Sequence, residues 1–235
     1  MGDDRERSLH PQSPIPYTRL VIAFKSAAEI EAAIPSVVLH LVRQGLIAYP
    51  TETVYGLGSA VNNEAVSKLS DLKGREPGKP FLLLVSDLAM LKSVRLRLPD
   101  KADRLATAFW PGPLTLVLPG GEGVMPDAVR GPEGGIAVRW TSHEGIARLI
   151  RTLGSPITST SANRPRQPPA VDGASVQHDF AEAESTGELM ILDAGTLTPS
   201  QPSTLVDCTG SRPRVIRHGA IAPERLRTIV PALEG

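Results

Sequence analysis

Lys73, Arg75 and Lys79 place three cations within seven residues, with Gly74 and Gly78 loosening the chain between them. That spacing suits a polyanion held close to backbone: a guanidinium grips phosphate by a two-pronged fork, and an ammonium acts as a point charge. A triphosphate is the obvious candidate. A solvated surface loop is the plainer account of a lone Lys-x-Arg. The segment is neither GxxxxGK[ST] nor GxGxxG, so it carries no P-loop or Rossmann fingerprint.

Other polar groups end apolar runs. Thr158-Ser-Thr-Ser-Ala-Asn163 gathers four hydroxyls and an amide that can bond phosphate or sugar oxygens, or simply close a strand through a local turn. Arg139 ends the run Ile-Ala-Val-Arg, as a solvated strand end or as a carboxylate ligand. Ser203 opens Ser-Thr-Leu-Val-Asp207, and Arg217 closes Val-Ile-Arg before His218 and Gly219. The five histidines show no metal-ligand spacing, and no GxSxG or Cys/His pairing stands out. Glu52 and Asp207 lie among these motifs without forming an evident carboxylate pair.

Elements must position these groups. Apolar runs predict strands at 20–24, 46–49, 81–85, 114–118, 136–140, 156–161, 189–192, 203–207 and 214–217. Between the second and third lies a Thr- and Gly-rich turn, then a helix from Asn62 or Asn63 through Leu72. Ser26 caps a helix that Pro35 should break or kink; Ser36 caps a second segment, 37–44, with Gly45 as the residue after its end. Asp87 caps a helix through Val94, a further helix runs 98–110, Ser142 caps one through Leu153, and Pro223 opens the last, 224–230. Residues 174–187 fit a short helix or a loop. Residues 164–173, with three prolines, read as a loop and as the candidate for a closing lid. Strands and helices intermix, so the fold class is α/β, or α+β, with a twisted mixed sheet. Residues 1–16 are expected to form a flexible tail and 17–235 one domain.

Composition bounds the function. Formal net charge is zero, which predicts no strong non-specific nucleic-acid binding, although a local basic patch remains compatible. Aromatics are 4%, too few for a single-strand stacking platform. The single cysteine, Cys208, rules out an internal disulfide framework. No apolar run is long enough to span a bilayer, and the acidic, polar N-terminus resembles neither a signal nor a transit peptide. The default setting is cytoplasmic.

Taken together, the blocks go further. YPTETVYGLG, KGR with a following KP, FWPGPLTLVL, AVRW, TSAN, and PSTLVD with VIRHGAI stand in this order. They resemble the YrdC-like family over about residues 18–222. KxR followed by SxN, here Lys73/Arg75 and Ser161/Asn163, is the most discriminating pair. The resemblance implies a twisted sheet with flanking helices and a concave, electropositive face. It implies a nucleotidyltransferase that joins L-threonine, bicarbonate or CO2, and ATP into threonylcarbamoyl-adenylate and pyrophosphate. The product would serve a downstream transferase in N6-threonylcarbamoyl modification of adenosine 37 in tRNA.

By motif position, the resemblance assigns Lys73, Arg75, Ser161, Asn163 and Arg217 to ATP, with catalysis on the first four. Lys79, where many relatives carry Asn, keeps a phosphate role. Thr51, Arg139, Ser159 and Ser203 would surround threonine. Mg²⁺ would ride mainly on the ATP phosphates, with no metal ligands from the protein. Two departures stand out. Leu84 occupies a place where some relatives carry His. SANRPRQPP replaces the common SAN-x-SG, so Arg164 or Arg166 would supply charge there. The chain is also expected to lack the extra C-terminal domain of the long form. The alternative function is a YrdC-like protein that binds tRNA or double-stranded RNA by shape and phosphate contacts, without synthase activity.

Overall fold

The computed structural model describes residues 20–75, 79–198 and 200–235; the tail expected at 1–16 lies outside them. In chain order the first half holds β1 (Val21–Ala23), α1 (Ala27–Val42), β2 (Leu46–Tyr49), β3 (Gly56–Gly58), α2 (Asn63–Lys73), β4 (Leu82–Val85), α3 (Leu88–Ser93), α4 (Asp100–Phe109) and β5 (Leu114–Leu118). The second half holds β6 (Ile136–Trp140), α5 (Glu144–Leu153), β7 (Ile157–Ser161), α6 (Gly173–Asp179), α7 (Ala181–Ser185), β8 (Leu189–Asp193), β9 (Thr204–Asp207), β10 (Arg214–Arg217) and α8 (Pro223–Ile229).

The strands join in one ten-stranded mixed sheet, ordered β1-β8-β2-β3-β7-β4-β6-β5-β9-β10. β7 is its hinge line. Its end, Thr160 and Ser161, pairs with β3, while its start, through Ser159, pairs with β4. The period of two then sorts side chains to faces. Leu114, Leu116, Ile136, Val138, Thr204 and Val206 are buried on one face, against the helices. Thr115, Arg139, Ser203, Leu205 and Asp207 take the opposite face, which is open.

Several elements follow directly from their ends. Asn62 caps α2 through a bond from the Ala65 N–H, and Gly74 closes it in the left-handed conformation, φ 58°. Asp87 caps α3 in the same way, and Pro223 stands in the first turn of α8.

Other expectations fail for identifiable reasons. Pro35 does not break α1, which runs unbroken through it. Pro35 removes one helical hydrogen bond, a cost of about 3 kcal/mol. Ala33, Ile34, Val37 and Leu41 on the same helix are buried, and each large side chain returns about 1.5–3 kcal/mol. Ser36 caps nothing; its hydroxyl donates back to the Ala33 carbonyl. The left-handed residue after α1 is Gln44, φ 66°, and not Gly45. Gly45 is needed for a different reason: a Cβ there would meet the His40 ring at 2.2 Å. α5 is capped by His143, whose Nδ1 accepts from the Ile146 N–H, and not by Ser142. Residues 174–187 form two short helices, α6 and α7. The turn expected after β2 contains a strand, β3. Its glycines hid it, yet Gly58 must lack a side chain, since a Cβ would fall 2.3 Å from the Thr158 carbonyl oxygen.

Candidate functional site

The open face of the sheet forms a cleft of about 710 Å³. Its described lining holds five cations, Arg75, Lys79, Arg139, Arg214 and Arg217, against two carboxylates, Glu133 and Asp207. Asp207 is already engaged by Thr209 and lies 3.7 Å from Arg214. The cleft is therefore electropositive although the chain is neutral.

One wall is built by the KxR and SxN segments, which the fold brings into contact. Lys73 is the last residue of α2 and only 8% exposed, not a residue of a solvated loop. Its ammonium donates to the Ser161 carbonyl at 2.8 Å, and to the carbonyl and Oδ1 of Asn163, both at 2.5 Å. Ser161 Oγ donates to the same Oδ1, and Asn163 Nδ2 donates to the Gln167 carbonyl. Lys73 and Asn163 are thus committed to a knot behind the wall, while Ser159, Thr160 and Ser161 face the cleft. Burial, and then the nearby Arg75, push the Lys73 ammonium down to about 8; its three acceptors favour the charged form.

Arg75 does face the cleft, from a fixed position. Its guanidinium donates to Thr160 Oγ1 at 3.0 Å and to the carbonyls of Lys79 and Pro80, and it lies 4.2 Å over the Phe81 ring. Hydrogen bonding and stacking together fix its plane.

The facing wall comes from β5, β6, β9 and β10. Arg139 lies on β6 and is 4% exposed; its Nη1 lies 3.3 Å from Thr53 Oγ1. Arg217 donates to the Ser203 carbonyl and to Ser203 Oγ, which shares a 2.8 Å hydrogen bond with Thr115 Oγ1. Burial lowers the Arg217 pKa, with Arg139 as the second cause, so two like charges approach one another here. That arrangement favours an anion between them. Thr51 lines the cleft, but its hydroxyl holds a local turn, accepting from the N–H groups of Thr53 and Val54.

Two expectations about the surroundings change. Arg164 is turned away: it donates to the Asp179 carbonyl and lies 4.7 Å over the Phe180 ring. Neither it nor Arg166 lines the cleft. The 164–173 loop is fastened, with Ala170 bonded by backbone to both Tyr55 and Ala162, so it does not serve as a free lid. Leu84 is fully buried, in register with Arg139. Sequence reasoning missed Thr53, Thr115, Arg214 and Ile216 in the lining, whereas Thr160 belongs to the hydroxyl cluster it had singled out. The period of two beside Arg139 and Ser203 was the signal available for Thr115.

The profile of the Sua5/YciO/YrdC family, described as telomere recombination, matches residues 40–219. The chain belongs to this family. A threonylcarbamoyl-AMP synthase of Stenotrophomonas maltophilia is 45% identical over 143 residues, 60% of this chain and 76% of that protein. A threonylcarbamoyl-AMP synthase of Pyrococcus abyssi is 35% identical over 192 residues, 80% of this chain and 55% of that protein. The structure of P. abyssi Sua5 complexed with L-threonine superposes with a TM-score of 0.80 at 31% identity, covering 91% of this chain and 62% of that one. The chain thus spans little more than half the length of the Pyrococcus relative. Within the Sua5/YciO/YrdC family, the twisted mixed sheet and flanking helices are the expected fold.

Proposed function

We propose that this chain is a threonylcarbamoyl-AMP synthase, a nucleotidyltransferase that acts as one YrdC-like domain over residues 17–235. It takes L-threonine, bicarbonate or CO2, and ATP, and yields threonylcarbamoyl-adenylate and pyrophosphate. A downstream transferase would then use the adenylate to modify adenosine 37 of tRNA. The observation that carries this reading is the cleft itself: two cationic walls, one from the KxR/SxN segments and one from Arg139, Arg217 and Ser203, face each other across a single open sheet face. Relatives named for this activity support it.

The chemistry suits the geometry. The threonine amine adds to CO2 and loses a proton, giving a carbamate. A carbamate oxygen then attacks the α-phosphorus of ATP, and the bond to the β-phosphate oxygen breaks to release pyrophosphate. Both partners are anions, so the barrier falls where fixed cations meet the charge on the phosphorus oxygens and leaving group. Arg75, Lys79 and Arg217 are assigned to the phosphates. Ser161 presents its hydroxyl from the β7 end, and Lys73 and Asn163 hold that end in place. Arg139 receives the threonine carboxylate, with Ser159, Ser203 and the Thr51 turn around the rest of the amino acid.

Among the described residues no group of three or more His, Cys, Asp or Glu side chains is placed to hold a metal ion. In the proposed reaction Mg²⁺ would be carried by the triphosphate and water, where it would neutralise phosphate charge. No helix among the described residues is long and apolar enough to cross a membrane. We place the reaction in the cytoplasm, where a free, buried thiol such as Cys208 persists.

Pyrophosphate release tests the proposal. It should require ATP, threonine and bicarbonate together. Equal release without threonine would sink it, and RNA binding with no threonine-dependent release would favour the alternative.

A further inference from the structure

Behind Arg139 lies a carboxylate that the cleft does not expose. Glu52 Oε1 sits 3.5 Å from Arg139 Nη1, with the two side chains only 14% and 4% exposed. Glu52 is not free to turn. Its other oxygen, Oε2, accepts a 2.7 Å hydrogen bond from Thr141 Oγ1, and that oxygen in turn accepts from the His143 N–H at the start of α5. A chain of fixed contacts therefore runs from the α5 N-terminus through Thr141 and Glu52 to the guanidinium. Glu52 Oε1 and Arg139 Nε are both buried without a hydrogen-bond partner, and the last step, Oε1 to Nη1, is an ion pair without a hydrogen bond.

We infer that Glu52 is a positioning residue for the amino-acid carboxylate: anchored by Thr141, it holds the Arg139 guanidinium toward the cleft. The inference rests on the proposed function. Its physical basis is that a guanidinium this deeply buried is unfavourable without a counter-charge. Arg217, on the same wall, adds like-charge repulsion. Without Glu52, Arg139 would turn toward other acceptors and lose its aim. Thr53 Oγ1, 3.3 Å from Nη1, is too weak an acceptor to replace a carboxylate.

The test is calorimetric titration of L-threonine, and separately of ATP, into the full chain, with steady-state constants measured in parallel. The variants are Glu52→Gln, Thr141→Val, Arg139→Ala and the double variant Glu52→Gln/Arg139→Ala. Glu52→Gln should weaken threonine binding and raise its KM about tenfold or more, leaving ATP binding and kcat nearly unchanged. Thr141→Val, which keeps the charge but loosens its anchor, should move threonine in the same direction by less. On the Arg139→Ala background, Glu52→Gln should cause no further loss, because its effect passes through the guanidinium. Equal or tighter threonine binding in Glu52→Gln, or an additive loss in the double variant, overturns the inference alone. A wild-type chain that binds no threonine contradicts the proposed function and overturns the inference with it.

Discussion

Lys73 and Arg75 are two residues apart and do different work. Lys73 donates to three acceptors behind the wall, and Arg75 presents its guanidinium to the cleft. Replacing Lys73 by Ala strands the Asn163 and Ser161 acceptors, so thermal unfolding should show a loss of roughly 1–3 kcal/mol besides lost turnover. Replacing Arg75 by Ala should cost roughly 2–4 kcal/mol of barrier, the scale of one oxyanion donor. An unchanged melting curve for Lys73→Ala would return that residue to the solvent. The Lys73 pKa, pushed down to about 8, adds a pH signature. The protonated form supplies three donors below pH 8 and loses one, with the charge, as pH rises through it. Turnover should fall on that alkaline side, and Lys73→Arg, which stays charged, should displace the fall. Around Arg139 the prediction concerns substrate choice. A site that bonds a hydroxyl rejects an analogue lacking it far more than one lacking a methyl, worth about 1–3 kcal/mol. Serine should be poor but measurable in the pyrophosphate assay and 2-aminobutyrate worse; the reverse order would remove the hydroxyl contacts.

At the scale of elements, what was legible in sequence was what local chemistry determines. Asn62, Asp87 and Pro223 announced their helices by capping and fixed φ, and β2, β5 and β6 stood out as short, mostly apolar runs. What was not legible was decided by distant partners. Gly56-Leu-Gly58 has a turn composition and becomes a strand because β2 and β7 flank it and Gly58 meets the Thr158 carbonyl. Pro35 is a breaker overruled by the face α1 buries. These two give opposite expectations. Gly58→Ala should lower the melting temperature and weaken the binding of threonine and ATP, since β3 supports the Ser161 end of β7. Pro35→Ala, on the exposed side of α1, should restore a helical bond and raise the melting temperature without touching activity. A stabilised Gly58→Ala or a destabilised Pro35→Ala would show that the packing here is misassigned.

The whole molecule is neutral, and that number hid the site. In the described lining of the cleft five cations face two carboxylates, while acidic residues such as Glu29, Glu31 and Glu182 lie on helices outside that lining. The ordered motifs revealed the KxR/SxN meeting, but only the sheet order brings β6 and β9 opposite them, and only the three-dimensional fold reveals Glu52 behind Arg139. The central claim is that one cleft joins three small molecules. It is tested most directly by incubating the purified chain with ATP, threonine and ¹³C-bicarbonate and reading products by mass spectrometry. A single product containing AMP and threonine, one mass unit heavier than with unlabelled bicarbonate, is predicted. ATP cleavage that yields no labelled adenylate, or proceeds equally without threonine, would contradict it.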